Sequence, residues 1–106
     1  MKPRKADRQI VIERAIVTTD DYGGEVSTWV PLCTPWAEIN YGRGDERRQA
    51  AQESASLAAT FRVRANTITS SVRTKDRIVF GGVAWDITSN APWRRDARDI
   101  TATRAA

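Results

Sequence analysis

The chain predicts an all-β domain, a small β-barrel or sandwich of six to seven mostly antiparallel strands with one polar loop or short-helix insertion. Residues 57–66 (LAATFRVRAN) alternate with a period of two. Leu57, Ala59, Phe61, Val63 and Ala65 fall on one side and Thr60, Arg62, Arg64 and Asn66 on the other, the pattern of a strand with one wet face. Runs rich in β-branched residues are punctuated by glycine-bearing turns at 20–24 (DDYGG) and 81–82 (GG), which is a hairpin signal. Nowhere do strand and helix patterns alternate, so a parallel sheet is not expected.

Taken in order, residues 1–7 read as a flexible basic tail, with Lys2, Arg4 and Lys5 solvated. Residues 8–18 (RQIVIERAIVT) are β-branched and long enough for one full strand. Both parities are partly apolar, as in a strand buried on two sides or bent around a barrel. The 20–24 turn leads to a return strand at 25–33, where Pro31, lacking a donor, belongs at an edge or near a strand end. Pro35 restarts the chain, and 36–39 (WAEI) form a third strand. Trp29, Trp36 and Trp85, as the largest apolar groups, are expected in the core.

Residues 42–56 differ in kind. Gly42 and Gly44 break the strand, and Asp45 is placed to cap a helix running to about residue 54 that would bury only Ala50 and Ala51. A protruding loop, a helix ordered by a partner and a plain flexible connection all fit. Residues 67–75 read as a polar connection, with Ile68 and Val72 tucked under the sheet. A hairpin follows at 76–80 and 83–88, turning at Gly81-Gly82, with Val83, Trp85 and Ile87 inward. Residues 89–92 (SNAP) read as a loop, and 98–103 as a closing strand with Ile100 and Ala102 on its apolar face. Trp93, followed by Arg94 and Arg95, fits either an exposed interface anchor or a ring packed beneath the last loop.

At 106 residues, 41% of them hydrophobic, the chain is expected to be a single domain, 1–106, with a small core. No run approaches the roughly 18 apolar residues of a membrane span, and the basic N-terminus has no apolar segment behind it to make a secretory signal. Seventeen basic against thirteen acidic residues, spread and interleaved, do not make a dedicated duplex-DNA binder.

There is no histidine, which removes the commonest general base and metal ligand near neutral pH. One cysteine leaves no internal disulfide and no zinc cluster, and Cys33, beside Leu32 and Pro35, reads as a buried apolar thiol rather than a nucleophile. Gly42 and Gly44 form G-R-G with no G-K-[ST] after it, so no phosphate loop is present. The acid pairs Asp20-Asp21 and Asp45-Glu46 lie in polar loops where desolvation is weak. The expectation is no enzyme, no catalytic residue, no metal and no cofactor.

In order, the chain carries RQIVIERA, D-D-Y-G-G-E-V-S-T-W-V, P-W-A-E-I, a polar G-R-G-D-E insertion, T-F-R-V-R followed by I-T, D-R-I-V-F-G-G-V-A-W-D-I and a short closing strand. In that order and spacing it resembles the phage head–tail joining proteins, also called head-closure, adaptor or stopper proteins. It departs from them at A-N-T-I-T, where many relatives are aromatic-rich, and in its alanine-rich C-terminus. The resemblance implies a β-barrel subunit copied into a ring, dodecameric or hexameric, in the neck of a virion assembled in the host cytoplasm. Its neighbours would be a portal or adaptor protein on the head side and a tail terminator or tail tube on the other, with genomic DNA passing through the channel.

The same resemblance puts the insertion, with Arg43, Asp45, Glu46, Arg47 and Arg48, towards that channel. Three bases against three acids leave the insertion without net charge, so it is expected to constrict rather than to grip phosphate. A ring closed by head-to-tail contacts needs two different surfaces on one domain. Arg62, Arg64, Trp93, Arg94 and Arg95 are the candidates for subunit contact. The alternative is a small barrel that binds single-stranded nucleic acid, with Trp93 between arginines as a stacking platform.

Overall fold

The computed structural model describes residues 6–42 and 56–105. Its organising feature lies near the N-terminus, where the stretch predicted as one strand is split at Ile10 into β1 (Arg8–Gln9) and β2 (Val11–Thr19). The two parts pair with different neighbours. β1 lies antiparallel to β4 (Trp36–Tyr41), with Arg8 opposite Ala37, while β2 lies antiparallel to β6 (Arg77–Phe80), with Ile12 opposite Ile78. Ile10, at the bend, is fully buried, and its N–H donates to the Pro35 carbonyl at 3.0 Å. One length of chain thus stands at both ends of a series of strands, and the sheet must curl to let it.

The remaining strands are β3 (Glu25–Cys33), β5 (Ser56–Arg64), β7 (Val83–Trp93) and β8 (Ala97–Ala105), and one short helix, α1 (Thr67–Ser70), joins β5 to β6. Among the described residues the order is β1-β4-β5-β8-β7-β6-β2-β3, one antiparallel sheet of eight strands curled into a half-barrel. The predicted fold class is the one observed. The strand count rises because of the break at Ile10.

The core follows from the alternation of β5. Ala59, Phe61 and Val63 point inward and are at most 3% exposed. Phe61 meets Trp85 edge-on at 5.4 Å between ring centres and Phe80 at 6.2 Å, an arrangement that suits the ring quadrupoles. Ile10, Ile12, Ile78, Ile87 and Ile100 fill in around them.

Several expectations are corrected. Trp29 and Trp36 do not anchor the core, being 37% and 56% exposed. Trp36 precedes the fully buried Ala37, so strand alternation turns the indole outward. Trp29 sits opposite Ala15, beyond the point where β2 leaves its pairing with β6. Val83, next to the turn, is exposed rather than inward.

Residues 89–92 are strand, not loop. A register shift between Ile87 and Ser89 absorbs the extra residue, and the Asn90 side chain ties the strand to its surroundings. Its Nδ2 donates to the carbonyls of Thr69 and Val72 at 2.9 and 3.0 Å, and its Oδ1 accepts from Arg98 Nε at 2.9 Å.

The 67–75 connection opens with α1 rather than an irregular run. Asn66 Oδ1 accepts from the Thr69 N–H at 2.8 Å, and Thr69 Oγ1 accepts from the Asn66 N–H at 2.9 Å, a reciprocal cap. Val72 tucks in at 5% exposure as expected, but Ile68 faces out. The Gly81-Gly82 turn forms as predicted, with φ of 63° and 77°, the left-handed pair a two-residue hairpin requires.

Candidate functional site

The outer surface of the sheet is built by register. Glu38 on β4 lies opposite Arg62 on β5, which lies opposite Asp99 on β8. The Arg62 guanidinium donates to both Asp99 oxygens, Nε at 2.8 Å and Nη2 at 3.1 Å, and Nη1 stands 3.9 Å from Glu38. These bonds to Asp99 raise the Arg62 pKa further above its ordinary value, so the cation is permanent. Held in this way, Arg62 stacks on Trp93 with its guanidinium carbon 3.6 Å from the ring centre. Arg94, with φ at +55°, brings a second guanidinium to 4.3 Å from the same ring. Each such stack at a part-buried site contributes about 0.5–1 kcal/mol.

The structure therefore brings Arg62, Trp93 and Arg94 together. Arg64, opposite Ala97 at the start of β8, and Arg95, in the β7–β8 turn, stand exposed at the same corner. Alternation with Glu38 puts Trp36 on this face as well. Arg43, Asp45, Glu46, Arg47 and Arg48 lie outside the described residues. Sequence alone places Trp36 in the core rather than on this face, and it does not single out Asp99 and Glu38, because only the cross-strand register shows which acid meets which arginine. With two guanidiniums already against it, Trp93 is not an open platform for a nucleobase, which counts against the single-strand-binding alternative.

A second region projects from the body. β2 and β3 pair from Ile12–Cys33 out to Thr19–Glu25, but β6 accompanies β2 only as far as Glu13. Residues 15–29 form an arm beyond that point. Its tip is fixed by Asp20, whose Oδ1 accepts from the N–H groups of Tyr22 at 2.9 Å and Gly24 at 2.7 Å, while Gly23 takes φ of +80°.

Two arginines bolt the arm's base to the body. Arg14 donates Nε and Nη2 to the two oxygens of Asp76, each at 3.0 Å, and Nη2 also reaches the Ser71 carbonyl at 3.2 Å. Arg77 donates Nε to Glu13 at 2.7 Å and stacks on Trp29 at 4.2 Å. Asp76 has a side chain only 1% exposed. Burial alone would raise its pKa, but the Arg14 bonds, the Arg73 N–H at 2.9 Å and the neighbouring positive charges outweigh burial and hold it below the usual carboxylate value.

Cys33 is half-buried against the core, and its pKa is pushed up, mainly by burial. Among the described residues no cluster of three His, Cys, Asp or Glu side chains is placed to hold a metal ion, and no helix is long and apolar enough to cross a membrane.

Compared with known proteins, residues 1–105 match the family model of the phage head completion protein. No curated protein matches. Among solved structures, a chain in the virion of the native gene transfer agent particle is similar over 94% of each chain, with 25% identity and a TM-score of 0.65. A Shigella flexneri 2a protein solved in solution is similar over 100% of this chain and 98% of that one, with 18% identity and a TM-score of 0.74, a likeness of fold.

Proposed function

The chain belongs to the phage head completion protein family, and from that premise we propose that it is a structural subunit of the head–tail connector of a tailed phage or phage-like particle, working as one copy in a ring that closes the head and lets DNA pass. The observation that carries this reading is the end-to-end likeness to a chain that sits in a gene transfer agent virion. We place it in the virion neck, next to portal or adaptor on one side and tail proteins on the other, a reading supported by the likeness to a virion chain. The role is architectural rather than catalytic. The chain has no histidine, and Arg62 with Asp99 and Arg14 with Asp76 are spent on one another as ion pairs.

The insertion 42–56 is proposed to constrict the channel. Its anchor strands β4 and β5 are antiparallel neighbours, so it leaves and returns at one end of the sheet, while Arg64 and the Trp93 corner lie at the other end of β5. The division suits a subunit that touches DNA at one end and its like at the other. Without net charge, the insertion would let DNA slide.

Electron microscopy of the particle neck, with copies of this chain counted, tests the ring; a neck without the chain ends the reading. Deleting residues 43–53 tests the constriction. Particles should still assemble but lose their DNA, and normal DNA retention would remove that part of the proposal.

A further inference from the structure

Five of the nine large apolar or aromatic side chains exposed among the described residues sit on the arm: Ile16, Val17, Tyr22, Val26 and Trp29. Cross-strand register puts Ile16 and Val26 on one face of the ribbon and Val17 and Trp29 on the other. Neither face has a core beneath it. A two-stranded ribbon with two apolar faces in water is marginal by itself, and exposed apolar area gathered in one place marks a contact surface.

Charge says what kind of surface covers it. Residues 15–29 contain Asp20, Asp21 and Glu25 and no lysine or arginine, whereas the whole chain carries +4, so the rest of it carries +7. The body also offers a counterpart of the opposite sign. On the outer face, Trp36 and the arginine-stacked Trp93 lie beside the exposed Arg64, Arg94 and Arg95. An apolar arm with three acids at its end and an aromatic face with three exposed arginines, whose turn carries Asp96 as its one acid, are complementary in chemistry.

We infer that the arm of one subunit seats on the Trp36–Arg64–Trp93–Arg95 face of a second copy of the chain. The two surfaces are different, so the contact is head-to-tail, the type that closes rings when the rotation per copy divides a full turn. The inference rests on the connector reading and adds to it the two surfaces that would meet.

The test uses assembled particles. A photo-crosslinking residue, p-benzoylphenylalanine, replaces Tyr22, which is 97% exposed at the arm's tip. Irradiation should link this chain to itself, with the adduct on that face, at Trp36, at Arg64 or within residues 91–98. A link only to another protein, or to another part of the chain, overturns the inference and leaves the connector reading standing. Absence of the chain from purified particles sinks the connector reading instead.

Charge reversal gives a second arm to the experiment. Asp21→Lys with Glu25→Lys, or Arg64→Glu with Arg95→Glu, should each lower the self-crosslink yield at least tenfold. Mixing the two variant chains should restore it, because each arm then finds a face of opposite sign. Asp20 is left intact because its carboxylate holds the turn. Unchanged yield in either variant, or no recovery on mixing, overturns the inference.

Discussion

The barrel and the arm are built from the same materials and behave in opposite ways. β5 and the outer half of β2 are both β-branched or aromatic stretches in extended conformation, yet Phe61 and Val63 are fully buried while Ile16 and Val17 are 46% and 59% exposed. The difference is one of neighbours, not propensity. β5 has β4 and β8 on its flanks and Trp85 across the core, whereas β2 beyond Glu13 has only β3. Strand preference measures fit to a pleated surface, and the sequence of a single strand does not say whether another sheet face lies against it.

The sharpest way to break the contrast is at the centre of the core. Phe61→Ala removes a ring that touches Trp85 and Phe80 and is predicted to cost about 3–5 kcal/mol, enough to unfold much of the population of a domain this small. Urea unfolding should show the midpoint collapse. A midpoint within experimental error of the parent would mean that the core is not where the register puts it.

The joint between the two regions comes next. Arg14→Ala strips the partner from a carboxylate whose side chain is 1% exposed, but the guanidinium is itself 36% exposed and partly screened, so the loss is predicted at about 2 kcal/mol at neutral pH. The sign of its pH dependence is distinctive. In the parent, Asp76 titrates below its unfolded value near 3.9, so its contribution is present above about pH 4 and is lost as the pH falls through the lower folded value. In the variant, burial acts without the arginine and the carboxyl titrates higher, so acid neutralises the stranded charge. The gap between parent and variant in urea midpoint should narrow from pH 7 to pH 4. A gap that stays the same across that range would show that Arg14 acts through packing alone.

Trp93→Ala is a smaller perturbation. It removes the Arg62 and Arg94 stacks but leaves the Arg62–Asp99 pair, for a predicted loss of about 1–2 kcal/mol. A loss near that of Phe61→Ala would place the ring in the core after all.

What could be read in advance follows the same division. The β5 alternation, the Gly81-Gly82 turn and the Asp20 turn are local chemistry, and local pattern found them. The bend at Ile10 was visible only as two half-apolar parities, because the event that makes it, pairing to β4 on one side and β6 on the other, joins residues far apart in the chain. Trp29 and Trp36 were misplaced for a related reason. A large apolar residue is presumed inside until the register shows which way it points, and here Ala37 takes the inward position next to Trp36. In the candidate site, Trp93 with its arginines was legible as a cluster, but Asp99 and Glu38, which fix Arg62, belong to other strands.

The mildest change tests the arm itself. Ile16→Thr with Val17→Thr keeps β-branching on both faces of the ribbon and exchanges an exposed ethyl and an exposed methyl group for hydroxyls that water can satisfy, so the isolated chain should lose less than about 0.5 kcal/mol. Amide exchange completes the comparison. Residues 16–28 have one strand-to-strand ladder and no buried layer, so their N–H groups should open locally and exchange far faster than those of β5, which is flanked on both sides. Equal protection in arm and core would mean that the ribbon is part of the same cooperative unit and already has a covering surface in the monomer. Fast exchange that slows when the particle assembles would instead place that surface on a neighbour.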